Sequence, residues 1–477
     1  MALAEFRLED RFVRDEGDVA MSGVQALLRV LLDQLRADRR DGLNNAAMVS
    51  GYRGSPLGGI DTLMLGNAEE LAANNIEFLP GVNEDLGATT VWGSQLANRD
   101  FEGKFDGVLG MWYGKAPGVD RSGDVIRHAN VCGVDPKGGV LLVAGDDPAS
   151  KSSTLASESE FALLHFQTPI LYPGSVQEVA DYGRIGYELS RYSGLWVSLK
   201  IVTNVADGYS TIKVGPGRVQ MQRPDFEWNG GPWQHTQQDS LFGPLAVRQE
   251  LEIHEGRLEA TDAFIHLNRL NTTSGATSDA RIGLVAAGKT YYDLREALDR
   301  MGLDESALKQ RGIRVYKPAV VWPLEPNGVR EFARGLETIV VVEEKRAFIE
   351  MFMKEILYGL ADSPEIFGKR DSDNGFWFPG HGEMDADLIG RKIRPFLVER
   401  LGDAAVGPAV RERVTIPAAL GAPDTKKQSN RTPSFCSGCP HNRSTWVPEG
   451  SEAGGGIGCH GMASMTPTRN VKGTTQM

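Results

Sequence analysis

The feature of this sequence that most constrains its fold is a recurring order of short apolar runs, glycine-containing turns and helical stretches. The segments "NNAAMVSGYRGSPLGG" (44–59) and "GGVLLVAGDDPAS" (138–150) each join an apolar run to a turn of small and polar residues, and "GLWVSLKIVT" (194–203) is a further apolar run. Residues 23–38 carry leucine and valine at helical spacing. Strands that alternate with helices predict a parallel, doubly wound α/β domain over roughly residues 20–215.

A second α/β unit is predicted in the C-terminal half of the chain. The segment "RIGLVAAGKTYYDLREALDRMG" (281–302) has the pattern of a strand, a glycine turn and a helix. The residues before it are rich in Gly, Pro and Gln and then become helical, which indicates a linker and a connecting helix. The predicted segments are a first α/β domain at 1–215, the linker and connecting helix at 216–280, a second α/β domain at 281–402, and a further linker with the start of a third domain at 403–477.

Composition and charge narrow the functional classes. The net charge of −12 argues against a general nucleic-acid-binding protein, because neutralising phosphates requires a basic surface. No apolar run approaches the ~20 residues that a membrane-spanning helix needs, and "MALAEFRLEDRF" at the start lacks the apolar core of a signal peptide. Four cysteines do not make a disulfide framework, and Cys132 is expected to be a buried structural thiol. We therefore expect a cytoplasmic protein that binds neither nucleic acid nor membranes.

One turn and one helix start supply the first candidate site residues. Gly54, Ser55 and Pro56 lie between a strand end and a helix start, at the edge of an open α/β sheet where ligands bind. On local sequence alone, a ligand-binding turn and a plain tight turn are equally good interpretations. Glu84 begins a small-residue helix, with Asn83 as the candidate N-cap. A solvated first-turn acid and a carboxylate partly buried against a heterocycle both fit this position.

The cysteines near the end of the sequence are a more specific signal. Cys436 and Cys439 form a C-x-x-C-P-H turn in "FCSGCPHNRSTW", and Cys459 follows in "GGGIGCHGM". Two cysteines at this spacing can direct both thiolates to one metal ion or cluster. A [4Fe–4S] cluster with one cysteine ligand absent and a zinc site completed by His441 or His460 fit equally well, and a redox-active cysteine pair fits less well.

Five segments in a fixed order resemble one enzyme superfamily. They are "GYRGSPLGG", "GVNEDLGATTVWGSQLAN", "GVLLVAGDDPASKSSTLASESEF", "TPILYPGSVQEVADY" and "FCSGCPHNRSTW…GGIGCHGM". The set is specific to the 2-oxoacid:ferredoxin oxidoreductase superfamily, and over essentially its whole length the chain resembles the long fused bacterial form of indolepyruvate ferredoxin oxidoreductase. This resemblance implies a thiamine-diphosphate-binding fold. The pyrimidine-binding domain would be 1–215, a transketolase C-terminal-like α/β domain 281–402, and an incomplete diphosphate-binding domain would begin within 403–477.

The resemblance also implies a role for each candidate residue of the first domain. Glu84 would engage the aminopyrimidine ring of thiamine diphosphate. Ser55, in the turn that it forms with Gly54 and Pro56, would lie near the carboxylate or keto oxygen of a 2-oxo acid. Lys115 matches a lysine of the family's K-H-x-G segment, although the rest of that loop has diverged. Glu84 and Ser55 are therefore the predicted catalytic residues, and all five are predicted to contact the cofactor.

The same resemblance implies that the C-terminal segment holds only part of a cofactor site. Cys436, Cys439 and Cys459 would be three ligands of a [4Fe–4S] cluster. The fourth cysteine, and the G-D-G-type motif that binds Mg²⁺, are expected further along such a domain. We therefore expect a fragment or a split subunit of a longer enzyme, in preference to a decayed remnant.

The implied activity is the oxidative decarboxylation of aryl pyruvates to acyl-coenzyme A, with electrons passing through the iron–sulfur cluster to ferredoxin. The expected partners are a 2-oxo acid, coenzyme A, ferredoxin, and the missing C-terminal portion or a separate subunit, in a homodimer or larger assembly. The expected cofactors are thiamine diphosphate, Mg²⁺ and the cluster, and the chain alone is expected to be inactive. The alternative is a non-catalytic remnant or interaction subunit with a zinc-binding or metal-free C-terminal tail.

Overall fold

The chain divides into two compact units, residues 1–411 and 412–477. The computed structural model describes residues 7–100, 102–153, 155–238, 242–408, 434–456, 458–466 and 468–474. The linker predicted after residue 402 lies largely outside the described residues. No helix within these ranges is long and apolar enough to cross a membrane.

The first unit alternates strands and helices along most of its length. Its strands are β1 (Gly17–Ser22), β2 (Ala46–Gly51), β3 (Ile76–Phe78), β4 (Val108–Lys115), β5 (Val140–Asp146), β6 (Ile170–Leu171), β7 (Val197–Val202), β8 (Tyr209–Val214), β9 (Glu227–Trp228), β10 (Gly231–Pro232), β11 (Thr272–Gly275), β12 (Ile282–Val285), β13 (Ile313–Lys317), β14 (Val320–Trp322), β15 (Thr338–Val341) and β16 (Glu365–Phe367).

The helices of the first unit follow the apolar periodicity of the sequence. They are α1 (Asp10–Val13), α2 (Gly23–Arg40), α3 (Gly59–Gly66), α4 (Ala68–Ala73), α5 (Glu84–Asp100), α6 (Ala116–Arg121), α7 (Gly123–Cys132), α8 (Glu160–His165), α9 (Val176–Ser193), α10 (Thr203–Ala206), α11 (Pro244–Glu252), α12 (Leu258–Leu267), α13 (Gly288–Arg300), α14 (Glu305–Gln310), α15 (Pro326–Ala333), α16 (Ile349–Leu357) and α17 (Ala386–Leu401). A π-helical turn, Ile253–Arg257, connects α11 to α12.

The larger sheet has seven strands in the order β14-β6-β7-β5-β4-β2-β3. Its strands pair in parallel, except that β14 runs antiparallel to β6. Helix α5 packs against β2 and β4, and α9 packs against β5 and β7. Strand β5 is buried at every position, as expected of a central parallel strand covered by helices. The parallel α/β fold predicted for the first part of the chain is confirmed.

The smaller sheet has five strands in the order β11-β13-β12-β15-β16. Its pairs are parallel except for β11 with β13. Helices α13 and α17 pack against each other beside it, with Leu284, Leu294 and Ile393 in their shared core. Strand β14, from the same part of the chain, joins the larger sheet instead, where Val320 pairs with Leu171. The α/β class predicted for this part is confirmed, and the domain ranges remain predictions.

A buried ion pair joins the two longest helices. The guanidinium of Arg191 on α9 donates to both carboxylate oxygens of Asp38 on α2, at 2.8 and 2.6 Å. The amides of Gln34 and Asn45 donate to the same carboxylate, at 3.0 and 2.8 Å. Both charged side chains are at most 5% exposed. The pair is therefore fully hydrogen-bonded in a region from which water is excluded.

The second unit is small and mainly irregular where it is described. It contains a short helix, α18 (His441–Ser444), a 3₁₀-helical segment (Gly458–Met465), and the strands β17 (Ala453–Gly455) and β18 (Val471–Thr474). The two strands pair in parallel. The guanidinium of Arg469 lies over the Trp446 ring, 3.7 Å from its centroid.

Candidate functional site

The carboxyl ends of β2 and β4 form the topological switch point of the larger sheet. From β2 the chain runs first to β3 on one side and then to β4 and β5 on the other. In open α/β sheets, ligands bind in the crevice outside the strand ends at such a point. The loop after β2 contains Gly54, Ser55 and Pro56, and Lys115 is the last residue of β4. Four of the predicted site residues therefore lie at the switch point.

The turn after β2 packs closely on its neighbours. A Cβ atom on Gly54 would lie 2.9 Å from Cδ of Lys115, so the lysine stem runs directly over this glycine. A Cβ atom on Gly145, near the end of β5, would lie 2.7 Å from Cγ of Leu57 and 3.0 Å from Cδ of Pro56. Larger residues would not fit at these two glycines. The structure thus brings Gly54 and Lys115 together and seats the turn on the end of β5.

Ser55 is hydrogen-bonded to a loop that the sequence did not single out residue by residue. Its hydroxyl is paired with the hydroxyl of Ser152, and Ser153 Oγ donates to the Ser55 carbonyl at 3.4 Å. Asp147, at the end of β5, holds this loop by accepting the backbone N–H groups of Lys151 and Ser152 at 3.0 and 2.8 Å. Burial raises the pKa of Asp147, but these N–H donors outweigh burial and hold the pKa below its ordinary value.

Glu84 begins α5, as predicted, and the helix start is capped. Asn83 Oδ1 accepts the backbone N–H of Leu86 at 2.9 Å, which confirms Asn83 as the N-cap. The indole N–H of Trp112 donates to the Glu84 carbonyl at 3.1 Å. A Cβ atom on Gly87 would lie 2.9 Å from Cα of Gly51, so the first turn of α5 lies directly on the end of β2. Glu84 is thus fixed at the same sheet edge as the turn.

The Glu84 side chain is largely enclosed but keeps free acceptor capacity. It is 11% exposed, and among the described residues the nearest cation is Arg121, with Nη1 3.9 Å from Oε2. A Cβ atom on Gly118 of α6 would lie 2.6 Å from Cγ of Glu84 and 3.0 Å from Oε1. Only a glycine at position 118 therefore leaves room for the carboxylate. A carboxylate held in this way can accept a hydrogen bond from a protonated ring nitrogen, so the residues fit the pyrimidine end of thiamine diphosphate.

The cysteines of the second unit are not gathered around one point. Cys436 and Cys459 are exposed and Cys439 is half-buried. The backbone N–H of Cys439 donates to the Cys436 carbonyl at 3.1 Å, which forms the predicted tight turn. Within the described ranges, no group of three or more His, Cys, Asp or Glu side chains is placed to hold a metal ion. In the described part of the chain, Cys436, Cys439 and Cys459 are not assembled into a metal site, and their role as cluster ligands remains a prediction.

The two histidines considered for a zinc site lie near the cysteine turn. His441 Nδ1 is 3.3 Å from the sulfur of Cys439. The rings of His441 and His460 are stacked with centroids 6.1 Å apart, and His460 Nδ1 accepts the backbone N–H of Gly456 at 2.7 Å. Cys132, in the first unit, is buried at the end of α7, as predicted.

Comparisons with known proteins agree with the motifs. A family model described as an indolepyruvate oxidoreductase domain matches residues 272–414. The indolepyruvate oxidoreductase subunit IorA of Archaeoglobus fulgidus is 25% identical over 345 residues, which cover 71% of this chain and 50% of the relative. The IorA subunit of Pyrococcus abyssi is 24% identical over 469 residues, covering 96% of this chain and 64% of the relative. The chain thus spans about half to two thirds of the length of these curated relatives.

A solved structure shares the fold. The 2-oxoglutarate:ferredoxin oxidoreductase of Magnetococcus marinus, solved with 2-oxoglutarate, coenzyme A and succinyl-CoA bound, aligns with a TM-score of 0.58 and 15% identity. The alignment covers 79% of this chain and 65% of that one. Together with the matched family model and the IorA relatives, this shows that the chain is similar to indolepyruvate oxidoreductases in sequence and to a 2-oxoacid:ferredoxin oxidoreductase in fold.

Proposed function

We propose that this chain forms the pyrimidine-binding part of a thiamine-diphosphate-dependent 2-oxoacid:ferredoxin oxidoreductase. The names of the IorA relatives support an indolepyruvate-type aryl 2-oxo acid as substrate. The solved relative, with 2-oxoglutarate, coenzyme A and succinyl-CoA bound, supports coenzyme A as the acyl acceptor and ferredoxin as the electron acceptor. When bound, thiamine diphosphate supplies the means to decarboxylate a 2-oxo acid.

The observation that carries this proposal is the setting of Glu84. Its carboxylate is 11% exposed, has its nearest described cation 3.9 Å away, and lies in a space kept open by Gly118. A purely structural glutamate at a helix start would be solvated or closely ion-paired. An enclosed carboxylate with unused acceptor capacity is suited to hold an aminopyrimidine ring and to exchange a proton with its nitrogen. We assign this role to Glu84.

Ser55 and Lys115 are assigned to the substrate side of the site. The Ser55 hydroxyl, oriented by Ser152, is placed at the switch point to donate to a carboxylate or keto oxygen. The stem of Lys115 lies over Gly54, the residue before Ser55, and its ammonium group would supply positive charge to this part of the site. An anionic 2-oxo acid would be attracted by the lysine and oriented by the serine. Gly54 and Pro56 give the turn the shape that allows both contacts.

The metal sites require residues beyond those assigned to the switch point. The relatives are named as subunits, which supports a partner subunit for this chain. We propose that Mg²⁺ and the [4Fe–4S] cluster are bound where residues of a partner subunit complete the donor sets. Cys436, Cys439 and Cys459 would supply three thiolates of the cluster. The assembly would be a homodimer or larger.

Isolation of the tagged full chain from its native cells tests the proposed function. Purified anaerobically with its bound partners, the preparation should reduce methyl viologen when given indolepyruvate and coenzyme A, and more rapidly after addition of thiamine diphosphate and Mg²⁺. Phenylpyruvate, branched-chain 2-oxo acids and 2-oxoglutarate would define the substrate class. A preparation that reduces the dye with none of these acids would contradict the proposal and favour a non-catalytic interaction subunit.

A further inference from the structure

A small cavity is lined by residues from both sheets. It is lined by Glu160, Tyr172, Ala287, Thr290, Val321, Glu343, Glu344, Phe348 and Ile349, and its volume is about 20 Å³. Glu160 begins α8 and Tyr172 follows β6 of the larger sheet, whereas Glu344 follows β15 of the smaller sheet. Polar groups from both sheets therefore meet at one small cavity.

Three polar atoms at this cavity are buried and have no hydrogen-bond partner among the residues that the structure describes. They are the hydroxyl of Tyr172, Oε2 of Glu160 and Oε2 of Glu344. Tyr172 is 6% exposed as a residue, and the Glu344 side chain is 5% exposed. Buried polar groups in folded proteins are almost always hydrogen-bonded, to protein or to ordered water. Three unpartnered groups around one cavity therefore indicate a bound molecule that contacts all of them.

The other oxygen of each carboxylate is already engaged. Lys200 donates to Glu160 Oε1, and the backbone N–H of Met384 donates to Glu344 Oε1 at 2.8 Å. Lys200 also lies over the Tyr172 ring, 4.4 Å from its centroid. These contacts hold the side chains in place, so rotation of either carboxylate toward the Tyr172 hydroxyl would break an existing charge-assisted hydrogen bond.

We infer that one water molecule is bound permanently in this cavity and joins the two sheets. A water donates two hydrogen bonds and accepts others, whereas the unpartnered set comprises one O–H donor and two carboxylate acceptors. Water would accept from Tyr172 and donate to Glu160 Oε2 and Glu344 Oε2, which satisfies every group. This makes three hydrogen bonds, the usual number for a buried water.

The size of the cavity also fits one water molecule. A buried water needs roughly 10–15 Å³ of such space, so a cavity of about 20 Å³ holds one water and has no room for two. Among the described residues, no cluster of three or more His, Cys, Asp or Glu side chains is placed to hold a metal ion, which argues against a cation in this cavity. An organic ligand is far too large.

A crystal structure of the full 477-residue chain, at a resolution that shows ordered water, tests this inference. One peak of water density is expected within hydrogen-bonding distance of Tyr172 Oη, Glu160 Oε2 and Glu344 Oε2. A dry cavity would overturn the inference, as would a direct bond from Tyr172 to either carboxylate. A peak surrounded by at least six oxygens at about 2.0–2.6 Å would also overturn it, because that coordination belongs to a metal ion.

A measurement in solution tests for the same bound water. Oxygen-17 relaxation dispersion counts water molecules that exchange slowly with solvent. Tyr172→Phe removes one of the three hydrogen bonds, so this variant should show one slow water fewer than the wild type. Tyr316→Phe is the control, because Tyr316 does not line this cavity and instead lines a wide, open cleft. An unchanged count in folded Tyr172→Phe would contradict the inference.

Discussion

Gly118 lies directly against Glu84, and a Cβ atom at position 118 would approach Cγ of Glu84 to 2.6 Å. The short helix α6 therefore determines where the carboxylate at the start of α5 can lie. The replacement Gly118→Ala should displace the Glu84 side chain while helix α6 itself tolerates alanine. We expect the affinity for thiamine diphosphate, measured by titration calorimetry with Mg²⁺ on the tagged assembly, to fall about tenfold, or ~1.4 kcal/mol.

Gly93→Ala is the matched control for this experiment. Gly93 lies in the exposed middle of α5, and a Cβ atom there would meet nothing within 4 Å. Alanine is favoured over glycine inside a helix by roughly 0.5–1 kcal/mol, so this variant should be slightly more stable and bind the cofactor normally. Equal cofactor affinity in Gly118→Ala and Gly93→Ala would show that the position of Glu84 does not matter for binding.

The ion pair between Arg191 and Asp38 should dominate the stability of the contact between α2 and α9. The replacement Asp38→Ala leaves the buried guanidinium with only the partly exposed carboxylate of Glu188, 3.5 Å from Nη1, which costs up to about 3–5 kcal/mol. Urea unfolding at neutral pH measures this loss. The exposed pair of Arg281 and Glu337, 70% and 52% exposed, is the control. Glu337→Ala should lower the free energy of unfolding by under about 1 kcal/mol. Similar losses in both variants would contradict a dominant contribution of the Arg191–Asp38 pair.

Asp262 should make the stability of the first unit depend on pH. Burial, followed by the nearby carboxylates of Glu325 and Glu259, raises the pKa of Asp262 to about 7. In the unfolded chain the value is about 3.9, so the folded state binds this proton more tightly. The stabilisation from the protonated form is therefore fully present below about pH 4 and is lost as the pH rises through about 7.

Asp262→Asn removes this titration. The variant should match the wild type near pH 4 and be more stable at pH 8 by about 1–3 kcal/mol, as measured by urea unfolding. Asp362→Asn, at an exposed aspartate, is the control and should change neither value. If the free energy of unfolding of Asp262→Asn differs from that of the wild type by the same amount at both pH values, protonation of Asp262 does not contribute to the pH dependence of stability.

Ser55 should act mainly on substrate binding. Removing a hydroxyl that donates to a charged group costs about 1.5–3 kcal/mol, so Ser55→Ala should raise KM for the 2-oxo acid roughly 10- to 100-fold. Viologen reduction by the tagged assembly at varied substrate concentration measures it. Ser210→Ala, at an exposed serine, should leave KM unchanged. A normal KM in Ser55→Ala would remove this serine from the substrate site.

The main elements of the fold were predictable because their periodicity is local. The run at 194–203 became β7 (Val197–Val202), and the strand–turn–helix pattern at 281–302 became β12 and α13. The pairing of β14 with β6 was not predicted, because a three-residue apolar run carries no information about its partner. The connecting helix was predicted, but its π-helical turn at Ile253–Arg257 accompanies tertiary contacts, such as the 2.8 Å hydrogen bond from buried Arg257 to the Asn130 carbonyl.

The sequence pattern predicted the site residues that lie directly after strands. It did not predict the contacts between residues that are far apart in the sequence. The turn at Gly54 and the helix start at Glu84 both lie after strand ends, which the sequence pattern located. The pairing of Ser55 with Ser152 joins loops that are 97 residues apart, and no spacing rule predicts it. The need for a glycine at position 118 likewise follows only from its close contact with the Glu84 side chain.

The central claim is that the Glu84 carboxylate takes part in catalysis, and one rate ratio tests it most directly. Glu84→Gln keeps the size of the side chain but cannot exchange a proton with the cofactor ring. In the tagged assembly, we predict that kcat for 2-oxo-acid-dependent viologen reduction falls by about 10²–10⁴-fold, with unfolding unchanged, while Glu102→Gln at an exposed glutamate keeps the wild-type rate. A wild-type kcat in Glu84→Gln would contradict the account.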